Sequence, residues 1–251
     1  MLILYRLIVN VVYFFAPIIL KIRIYKKKED KNRYTEKLSI IKTKKPRGKL
    51  AWFHAASVGE LMSILPLLEK IEKIKEIKSI LLTTNTLSSS KIFKKKIKSK
   101  KIIHQFFPFD KNIFTKKFLS YWLPDLVIFV ESEIWPNFIF NIKCKKIPLI
   151  LLNARITTKT YLRWKKIPGF AKLIFSSFDM CLSQNKETEK YLKSFGVKNI
   201  KNLGNLKFSK SKLISSNKLN KKVLKMFQYK KIWCASSTHA SEEIFCGKTH
   251  I

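Results

Sequence analysis

Three glutamates lie where a catalytic carboxylate could act. Glu60 ends the stretch WFHAASVGE at residues 52–60, and Glu131 and Glu133 lie together in VESEIWPN at residues 130–137. A carboxylate beside a reacting hydroxyl can take its proton as a general base, and close like charges raise a carboxyl pKa toward the range where such a base works best. These two stretches are therefore the first candidates for acid–base chemistry.

Short apolar segments precede both clusters and predict the elements that position them. Mostly apolar runs, typical of strands buried on both faces of a parallel sheet, lie at residues 50–54, 79–83, 102–106, 126–130, 149–153 and 180–183, and residues 200–203 are taken as a further strand. Helices are predicted at 60–75, 89–97, 113–121, 135–144 and 186–194. This alternation indicates a doubly wound α/β domain.

Other polar residues are predicted to join the glutamates at one edge of this sheet. Ligands of open α/β sheets bind beyond the carboxyl ends of the strands. Ser57 and Gly59 follow the first predicted strand, Arg155 follows the strand at 149–153, and Asn205 and Lys207 follow the strand at 200–203. Carboxylates and cations at one edge suit a sugar or another hydroxyl-rich, anionic substrate.

The glutamates also have a purely structural interpretation. Glu60, on a turn loosened by Gly59, could stabilise the positive end of the helix that it begins, a contribution of about 0.3–1 kcal/mol. Glu131 and Glu133 could do the same for the helix that begins near Trp135. The sequence leaves both interpretations open.

Histidines and cysteines form no catalytic or metal-binding pattern in the sequence. His54 and His104 belong to apolar strands and are predicted to be structural. The cysteines are Cys144, Cys181, Cys234 and Cys246. Because they lack the close Cys/His spacing of a zinc site, buried free thiols in a reducing compartment are predicted, with no metal and no cofactor.

The end of the chain predicts the start of a second unit. KKIWCASSTHASEEIF, residues 230–245, has a strand at 232–235, a polar turn and a new helix. The turn contains Ser236, Ser237, Thr238 and His239. Hydroxyls and amides at a helix start can hold a phosphate, although the same pattern is an ordinary helix cap.

The first twenty residues, MLILYRLIVNVVYFFAPIIL, are nearly all apolar, and a basic segment follows them. The run is about long enough to span a bilayer, but Arg6 is costly at depth. An anchor lying in the membrane interface is one alternative, and a helix packed on the protein's own surface is another. The basic flank predicts that the rest of the chain is cytoplasmic.

The formal net charge of +36, from 52 basic and 16 acidic side chains, favours anionic partners. Lysine is spread over the whole length, however, which is typical of a base-composition bias. Nucleic acid is not a predicted partner, because the basic residues form no single patch interleaved with aromatic residues.

Six motifs occur in order along the chain: RYTEKL, WFHAASVGE, ESEIWPN, LLNARIT, GNLKFS and ASSTHASEE. Together they resemble the Kdo (3-deoxy-D-manno-octulosonic acid) transferases of Gram-negative lipopolysaccharide synthesis, from the N-terminal segment to Glu243. The resemblance implies a GT-B-type α/β architecture of two Rossmann-like domains. It also implies an inverting transfer of Kdo from CMP-Kdo to a phosphorylated lipid A precursor at the cytoplasmic face of the inner membrane.

Carried onto this sequence, the resemblance makes Glu60 the general base and makes Glu131 and Lys207 the groups that stabilise the transition state. The other polar residues of the sheet edge are expected to bind substrate; they are Ser57, Gly59, Arg155 and Asn205. The donor phosphate is expected at Ser236, Ser237, Thr238 and His239. Cations and a helix start can stabilise a departing CMP without a metal.

Four segments are predicted: a membrane anchor helix at 1–25, a basic linker at 26–48, an acceptor-side Rossmann-like domain at 49–210, and a linker with the first βα unit of a truncated donor domain at 211–251. Because so little of the donor domain is present, an alternative function is a catalytically incomplete, membrane-anchored module that binds phosphorylated lipid.

Overall fold

The computed structural model describes residues 1–208, 221–228, 233–236 and 238–250. The chain divides into two compact units, Met1–Leu213 and Ile214–Ile251, and each is described by itself.

The described part of the first unit is a parallel sheet with helices on both faces. Its strands are β1 (Leu50–His54), β2 (Ser79–Thr84), β3 (Ile102–Phe106), β4 (Leu126–Val130), β5 (Leu149–Ala154), β6 (Met180–Ser183) and β7 (Ile200–Asn202). Its α-helices are α1 (Leu2–Phe14), α2 (Ala16–Tyr25), α3 (Val58–Ile71), α4 (Leu87–Lys96), α5 (Asn112–Trp122), α6 (Pro136–Cys144), α7 (Thr158–Lys165), α8 (Pro168–Phe175) and α9 (Lys186–Ser194). Two short 3-10 helices span Tyr34–Leu38 and Leu206–Phe208.

The strand order is β3-β2-β1-β4-β5-β6-β7, and every neighbouring pair is parallel. The predicted doubly wound α/β sheet is therefore confirmed. After β3 the chain returns to the far side of β1, so β1 and β4 are neighbours across the point where the strand order reverses. Such a switch point opens a crevice at the carboxyl ends of its two strands.

Alternating side chains of β1 supply both layers of the core, because successive residues of a strand point to opposite faces. Trp52 belongs to an aromatic-rich layer with Phe129 and Phe138. Phe53 lies on the other face, in an aliphatic layer with Ile64 of α3. The strand is fully buried, which fixes the position of the residues that follow it.

Helix boundaries differ from the prediction where capping, rather than apolar periodicity, decides them. α3 begins at Val58 because the Ser57 hydroxyl accepts a hydrogen bond from the backbone N–H of Glu60, and it ends at Ile71 instead of residue 75. α7 and α8 were not predicted. α7 buries none of its residues fully, and its core contacts come from the partly buried Tyr161 and Trp164, a weak apolar pattern in the sequence.

The N-terminal segment forms two helices, not one. They meet at Phe15 with a bend of 46°. Among the described residues no single helix is long and apolar enough to cross a membrane, whereas this bent pair together meets the length and composition required. One side of the pair is buried through Val9, Ala16 and Leu20, and the other side is exposed.

The buried carboxylate of Asp110, 1% exposed, attaches α1 to the sheet domain. It accepts hydrogen bonds from the hydroxyl of Tyr5 (2.7 Å) and from the backbone N–H groups of Asn137 (3.0 Å) and Phe138 (2.9 Å) in the first turn of α6. Arg6 donates from Nε to the side-chain oxygen of Asn137 at 2.9 Å. Polar contacts thus hold a mostly apolar helix in one orientation.

Replacing Tyr5 with Phe should lower the free energy of unfolding by about 1–3 kcal/mol, since it removes a hydrogen bond to a buried carboxylate. Denaturant unfolding of the purified chain would measure this change. Tyr25→Phe is the control, because Tyr25 is 88% exposed and its loss of a hydroxyl should change stability by less than about 0.5 kcal/mol. Equal stability of the two variants would mean that Asp110 does not anchor α1 through Tyr5.

The segment predicted as a basic linker, 26–48, carries the 3-10 helix Tyr34–Leu38 and buried charges. Arg33 makes two hydrogen bonds to the Glu36 carboxylate, at 2.7 and 3.0 Å, and Glu36 accepts the backbone N–H of Phe106 at 2.7 Å. These contacts tie the segment to the end of β3.

In the second unit, α10 (Lys221–Phe227) and α11 (Ala240–His250) are helical. The helix predicted after the SSTH turn is therefore present as α11. Residues 233–235 of the predicted strand have no regular secondary structure. The first residue of that strand, Ile232, lies outside the described residues.

The four cysteines are free thiols as predicted, but the prediction that they are buried is wrong for three of them. Cys181 is buried in β6, and burial raises its pKa to about 12. Cys144 and Cys234 are exposed and Cys246 is partly exposed. Cys144 is the last residue of α6, and Lys143 and Lys145, which flank it in the sequence, are consistent with this exposure.

Candidate active site

The three glutamates are brought to the switch point of the sheet. β1 and β4 are paired with His54 opposite Phe129, so the segments that follow them leave the sheet side by side. Glu60 lies in the first turn of α3, directly after β1, and Glu131 and Glu133 follow β4. The prediction that strand ends gather these residues holds at this edge.

Glu60 is held by the loop that precedes its own helix. One carboxylate oxygen accepts the backbone N–H of Ala56 at 2.8 Å, and the other accepts the Ser57 hydroxyl at 2.9 Å. With the Ser57 bond to Glu60 N–H, this arrangement resembles a capping box. Glu60 therefore does stabilise the helix start, as its structural interpretation requires, and its carboxylate is fixed in place at the same time.

Gly59 plays a different part from the predicted one. It lies inside the first turn of α3 and not in a loosened turn before the helix. A Cβ there would meet only Ser57 Oγ at 3.9 Å, which is ordinary contact.

The environment of Glu60 opposes its ionisation. Burial raises its pKa most, and the charge of Glu133 and, more weakly, that of Glu131 raise it further, to about 7. The hydrogen bonds from Ala56 and Ser57 act in the opposite direction. A carboxylate with a pKa near neutrality is suited to take a proton from a sugar hydroxyl and release it again.

Glu133 is fixed by two ring nitrogens. His54 Nε2 lies 3.0 Å from its Oε2, and Trp135 Nε1 donates to the same oxygen at 2.7 Å. Burial opposes the ionisation of Glu133, but these hydrogen bonds outweigh burial and hold its pKa below the ordinary value. The Glu133 charge that raises the pKa of Glu60 is thus built into the site.

The two strand histidines are buried, as expected of structural residues. The His54 ring stacks on Phe107 with 3.7 Å between centroids, and its contact with Glu133 links the core to the site. His104 lies beside Arg33 and Thr84. Burial first, and then the charge of Arg33, lower the pKa of His104 to about 3.

Glu131 and Lys207 form an ion pair, with 2.9 Å between Oε1 and Nζ. The Glu131 side chain is 10% exposed and that of Lys207 is 43% exposed, so the ammonium group stays accessible beside a nearly buried carboxylate. The 3-10 helix that carries Lys207 packs against α3, the helix of Glu60. The structure therefore brings the three residues with predicted catalytic roles into one region.

Asn153, which the sequence reasoning missed, organises this pair. Its Oδ1 accepts the backbone N–H of Leu206 at 3.0 Å, and its Nδ2 lies 3.5 Å from Glu131 Oε1. It therefore ties the turn that carries Lys207 to the end of β5. The available signal was an asparagine inside an otherwise apolar strand.

Glu131 and Asn153 both have left-handed backbone conformations, with φ of 58° and 54°. Such values are uncommon for residues other than glycine and concentrate at functional sites. Both residues lie at the carboxyl ends of neighbouring strands. Glu131 directly follows β4, whereas Asn153 lies within β5 at a register shift between Leu151 and Ala154.

The remaining predicted substrate residues lie around the same edge with different contacts. Arg155 is exposed, and its guanidinium makes no hydrogen bond or ion pair within the portion of the chain that the structure describes. Asn205 accepts the backbone N–H of Lys207 with its side chain, at 2.9 Å, and so shapes the turn. Ser57 is engaged with Glu60.

The predicted phosphate-binding turn belongs to the second unit. The Thr238 hydroxyl donates to Glu243 at 3.2 Å, and the backbone N–H of His239 donates to Glu242 at 2.8 Å. Ser236 is exposed, and Ser237 lies outside the described residues. Two carboxylates thus occupy the start of α11, and the binding of a phosphate there stays a prediction.

In the described ranges, no group of three or more His, Cys, Asp or Glu side chains is placed to hold a metal ion. The chemistry available at the sheet edge comes from one carboxylate with a raised pKa, a second carboxylate paired with a lysine, and an accessible arginine. This set can accept a proton and stabilise a negative charge.

Comparison with a solved structure supports the fold. The S. aureus MnaA–UDP co-structure matches with a TM-score of 0.52 and 13% identity, over 74% of this chain and 52% of that one. At that identity the likeness concerns the fold alone, and the GT-B-type α/β prediction is confirmed.

Comparison with sequences identifies the family. Residues 32–210 match the profile of the 3-deoxy-D-manno-octulosonic-acid transferase (kdotransferase) family. The transferase of Rickettsia bellii is 39% identical over 90% of this chain and 54% of its own length. The probable mitochondrial transferase of Arabidopsis thaliana is 32% identical over 95% of this chain and 56% of its own. The chain spans about half the length of these relatives, and it belongs to the Kdo transferase family.

Proposed function

We propose that this chain forms the acceptor-side half of an inverting glycosyltransferase that moves Kdo from CMP-Kdo to a phosphorylated lipid A precursor. The observation that carries the proposal is the fixed Glu60 carboxylate, with a pKa raised to about 7, in a member of this family. Glu60 takes the proton of the acceptor hydroxyl as its oxygen attacks the anomeric carbon of Kdo and the bond to CMP breaks.

Lys207 and Glu131 act on the charge that this displacement creates. The negative charge grows on the departing CMP phosphate, and a cation placed beforehand stabilises it without reorganisation. Lys207 supplies that cation, and Glu131 holds it through the ion pair of 2.9 Å. Arg155, exposed at the same edge, binds an anionic group of the substrate.

A chimera tests this function. Residues 1–208 are joined to the remaining half of the R. bellii transferase, and the transfer of Kdo from CMP-Kdo to a lipid A precursor in detergent is measured. Transfer at a rate within about tenfold of the R. bellii enzyme is expected. No transfer by a chimera that unfolds cooperatively, assayed beside an active R. bellii control, would contradict the proposal.

A second candidate function is a membrane-anchored module that binds phosphorylated lipid without catalysis. It is favoured by the exposed apolar side of the α1–α2 pair, a surface suited to contact with lipid. The chain of 251 residues would then bind precursor-containing vesicles, and the chimera, despite binding them, would transfer no Kdo.

The exposed side of the α1–α2 pair supports attachment to the cytoplasmic face of the inner membrane. Leu4, Val11 and Ile18 are 52%, 66% and 58% exposed, and the basic segment that follows them would face anionic headgroups. Each such side chain stabilises attachment by about 1.5–3 kcal/mol when it is fully buried in an apolar phase. The pair would lie in the interface, because its other side packs on the protein.

Replacing Leu4, Val11 and Ile18 together with Gln should therefore move the protein from the membrane fraction to the soluble fraction, while the unsubstituted protein stays bound in high salt. Fractionation of cells at low and high salt would show this. The control replaces three exposed apolar residues elsewhere with Gln: Ile40, Ile113 and Leu162. Membrane retention of the first variant in high salt would contradict attachment through these helices.

A further inference from the structure

A cavity of about 360 Å³ lies between the α1–α2 pair and the carboxyl ends of β2 and β3. This volume is within the range of small-ligand sites. Ile19 of α2 and Phe109 and Trp135 of the sheet domain give it apolar walls. Tyr13 of α1 stacks on Phe109 with 4.7 Å between ring centroids, which fixes the helix against the cavity.

The polar wall of this cavity carries one carboxylate and two cations. Glu29 Oε1 lies 2.7 Å from Arg23 Nε and 2.7 Å from Lys37 Nζ. Glu29 and Lys37 are almost fully buried, whereas the Arg23 side chain is 45% exposed. The three side chains have a net charge of +1, and an uncompensated positive charge in an apolar surrounding favours an anion.

Among the described residues, some hydrogen-bond donors of both cations have no partner. Lys37 uses two of its three N–H donors, toward Glu29 and toward the backbone oxygen of Asn85 at 3.1 Å. Arg23 uses only its Nε–H within the described residues, so the terminal nitrogens of its guanidinium are available. A guanidinium fork and an ammonium group together match the oxygens of a phosphate.

The surroundings of the cavity connect it both to the exposed apolar side of the α1–α2 pair and to the candidate active site. Ile19 also belongs to the exposed apolar side of the helix pair. On the inner side, Trp135 lines the cavity and donates to Glu133, the carboxylate whose charge acts on Glu60. One amphiphilic ligand can therefore extend from the bilayer, over these cations, toward the base.

We propose that this cavity binds a phosphate monoester of the acceptor's lipid headgroup, with the phosphate at Arg23 and Lys37 and the acyl region against Ile19 and the exposed side of α2. The inference rests on the proposed function, because it assigns a place to that function's acceptor. It also gives the α1–α2 pair a second role, as one wall of the acceptor site.

The test uses the whole 251-residue chain and no sugar donor. The probe is dihexanoyl phosphatidic acid below its critical micelle concentration, a phosphate monoester with two short acyl chains. Dihexanoylglycerol lacks the phosphate, and inorganic phosphate lacks the acyl chains. Calorimetric titration should show the probe binding at least about tenfold more tightly than either. Equal affinity for inorganic phosphate, or for dihexanoylglycerol, would overturn the proposal.

Three substitutions separate this cavity from general positive charge. Arg23→Gln should weaken probe binding about tenfold or more, because it removes charge-assisted hydrogen bonds. Glu29→Gln should strengthen binding, because it raises the net charge of the wall. Arg163→Gln, which removes an exposed cation of α7, should leave binding unchanged. Unchanged binding in Arg23→Gln, or weaker binding in a folded Glu29→Gln variant, would reject the cavity.

Because the Arg23 side chain is half-exposed, the Arg23→Gln variant should fold. Its probe binding therefore decides the test even where Glu29→Gln fails to fold. Binding and transfer are also separable. If probe binding depends on Arg23 but the chimera transfers no Kdo, the proposed function is rejected and the cavity is supported as a phosphate-binding site. If the chimera is active but probe binding is unchanged in Arg23→Gln, the proposed function is supported and the cavity is rejected as the binding site.

Discussion

Glu60→Gln is expected to lower kcat for Kdo transfer by about 10²–10⁴-fold in the chimera, the usual contribution of a general base. Gln keeps the size of the side chain and one acceptor oxygen, which can replace only one of the two carboxylate oxygens that accept from Ala56 and Ser57, and it cannot take the proton. If Glu60 serves only to cap α3, kcat of the Glu60→Gln chimera should stay within about threefold of the unsubstituted chimera. A loss that small is less than the loss of a general base would cause.

The stability of the same variant separates the two roles of Glu60. The pKa of Glu60 in the folded chain, about 7, is above the ordinary value of 4.5, so its ionisation opposes folding as the pH rises between these values. Above pH 7 the neutral Gln avoids this penalty but loses part of the hydrogen bonding. The melting temperature at pH 8 should therefore change little while activity falls.

The pH dependence gives a third measurement on Glu60. Because the base must be deprotonated, kcat/KM of the chimera should rise with pH through about 7 and then level off. Glu133→Gln removes a neighbouring negative charge that raises the Glu60 pKa, so the midpoint of this rise should move to lower pH, with the plateau rate reduced by only a few fold. An unmoved midpoint would contradict the electrostatic role of Glu133.

Lys207→Met is expected to lower kcat by about 10²–10³-fold, the usual effect of removing one group that stabilises transition-state charge. Its effect on stability should stay below the roughly 3–5 kcal/mol that breaking a fully buried pair costs, because the Lys207 side chain is 43% exposed. Steady-state kinetics of the chimera would measure the first and thermal unfolding the second. Lys201→Met is the matched control, since Lys201 lies exposed on the neighbouring strand β7.

A double variant tests whether Lys207 acts on the substrate or only neutralises Glu131. If neutralisation were its whole function, Glu131→Gln together with Lys207→Met would restore activity, because neither charge would then be left unpaired. If Lys207 stabilises the departing phosphate, the double variant should be no more active than Lys207→Met alone. Lys207→Arg, which keeps the charge, should retain more activity than Lys207→Met.

The strands and their parallel arrangement were predictable from the sequence because β1 to β5 are buried on both faces, whereas β7 at the edge of the sheet is mostly exposed. β1, β3, β4 and β6 have the predicted bounds, and the other strands differ from them by one residue at the carboxyl end. Continuous apolar runs can be read locally, residue by residue. The rule that ligands bind at strand ends then selected Glu60, Glu131 and Lys207, and only the resemblance to a family gave them roles.

The contacts between these residues could not be predicted, because they join positions far apart in the chain. Asn153 reaches Leu206 across 53 positions and His54 reaches Glu133 across 79. The pKa of Glu60 depends on burial and on charges carried by another strand's loop. The Arg23–Glu29–Lys37 wall forms because Glu29 joins Arg23 of α2 to Lys37, whose 3-10 helix packs on β3. Sequence determined which residues reach the sheet edge; tertiary packing decided which of them are neighbours, and electrostatic energy depends on that distance.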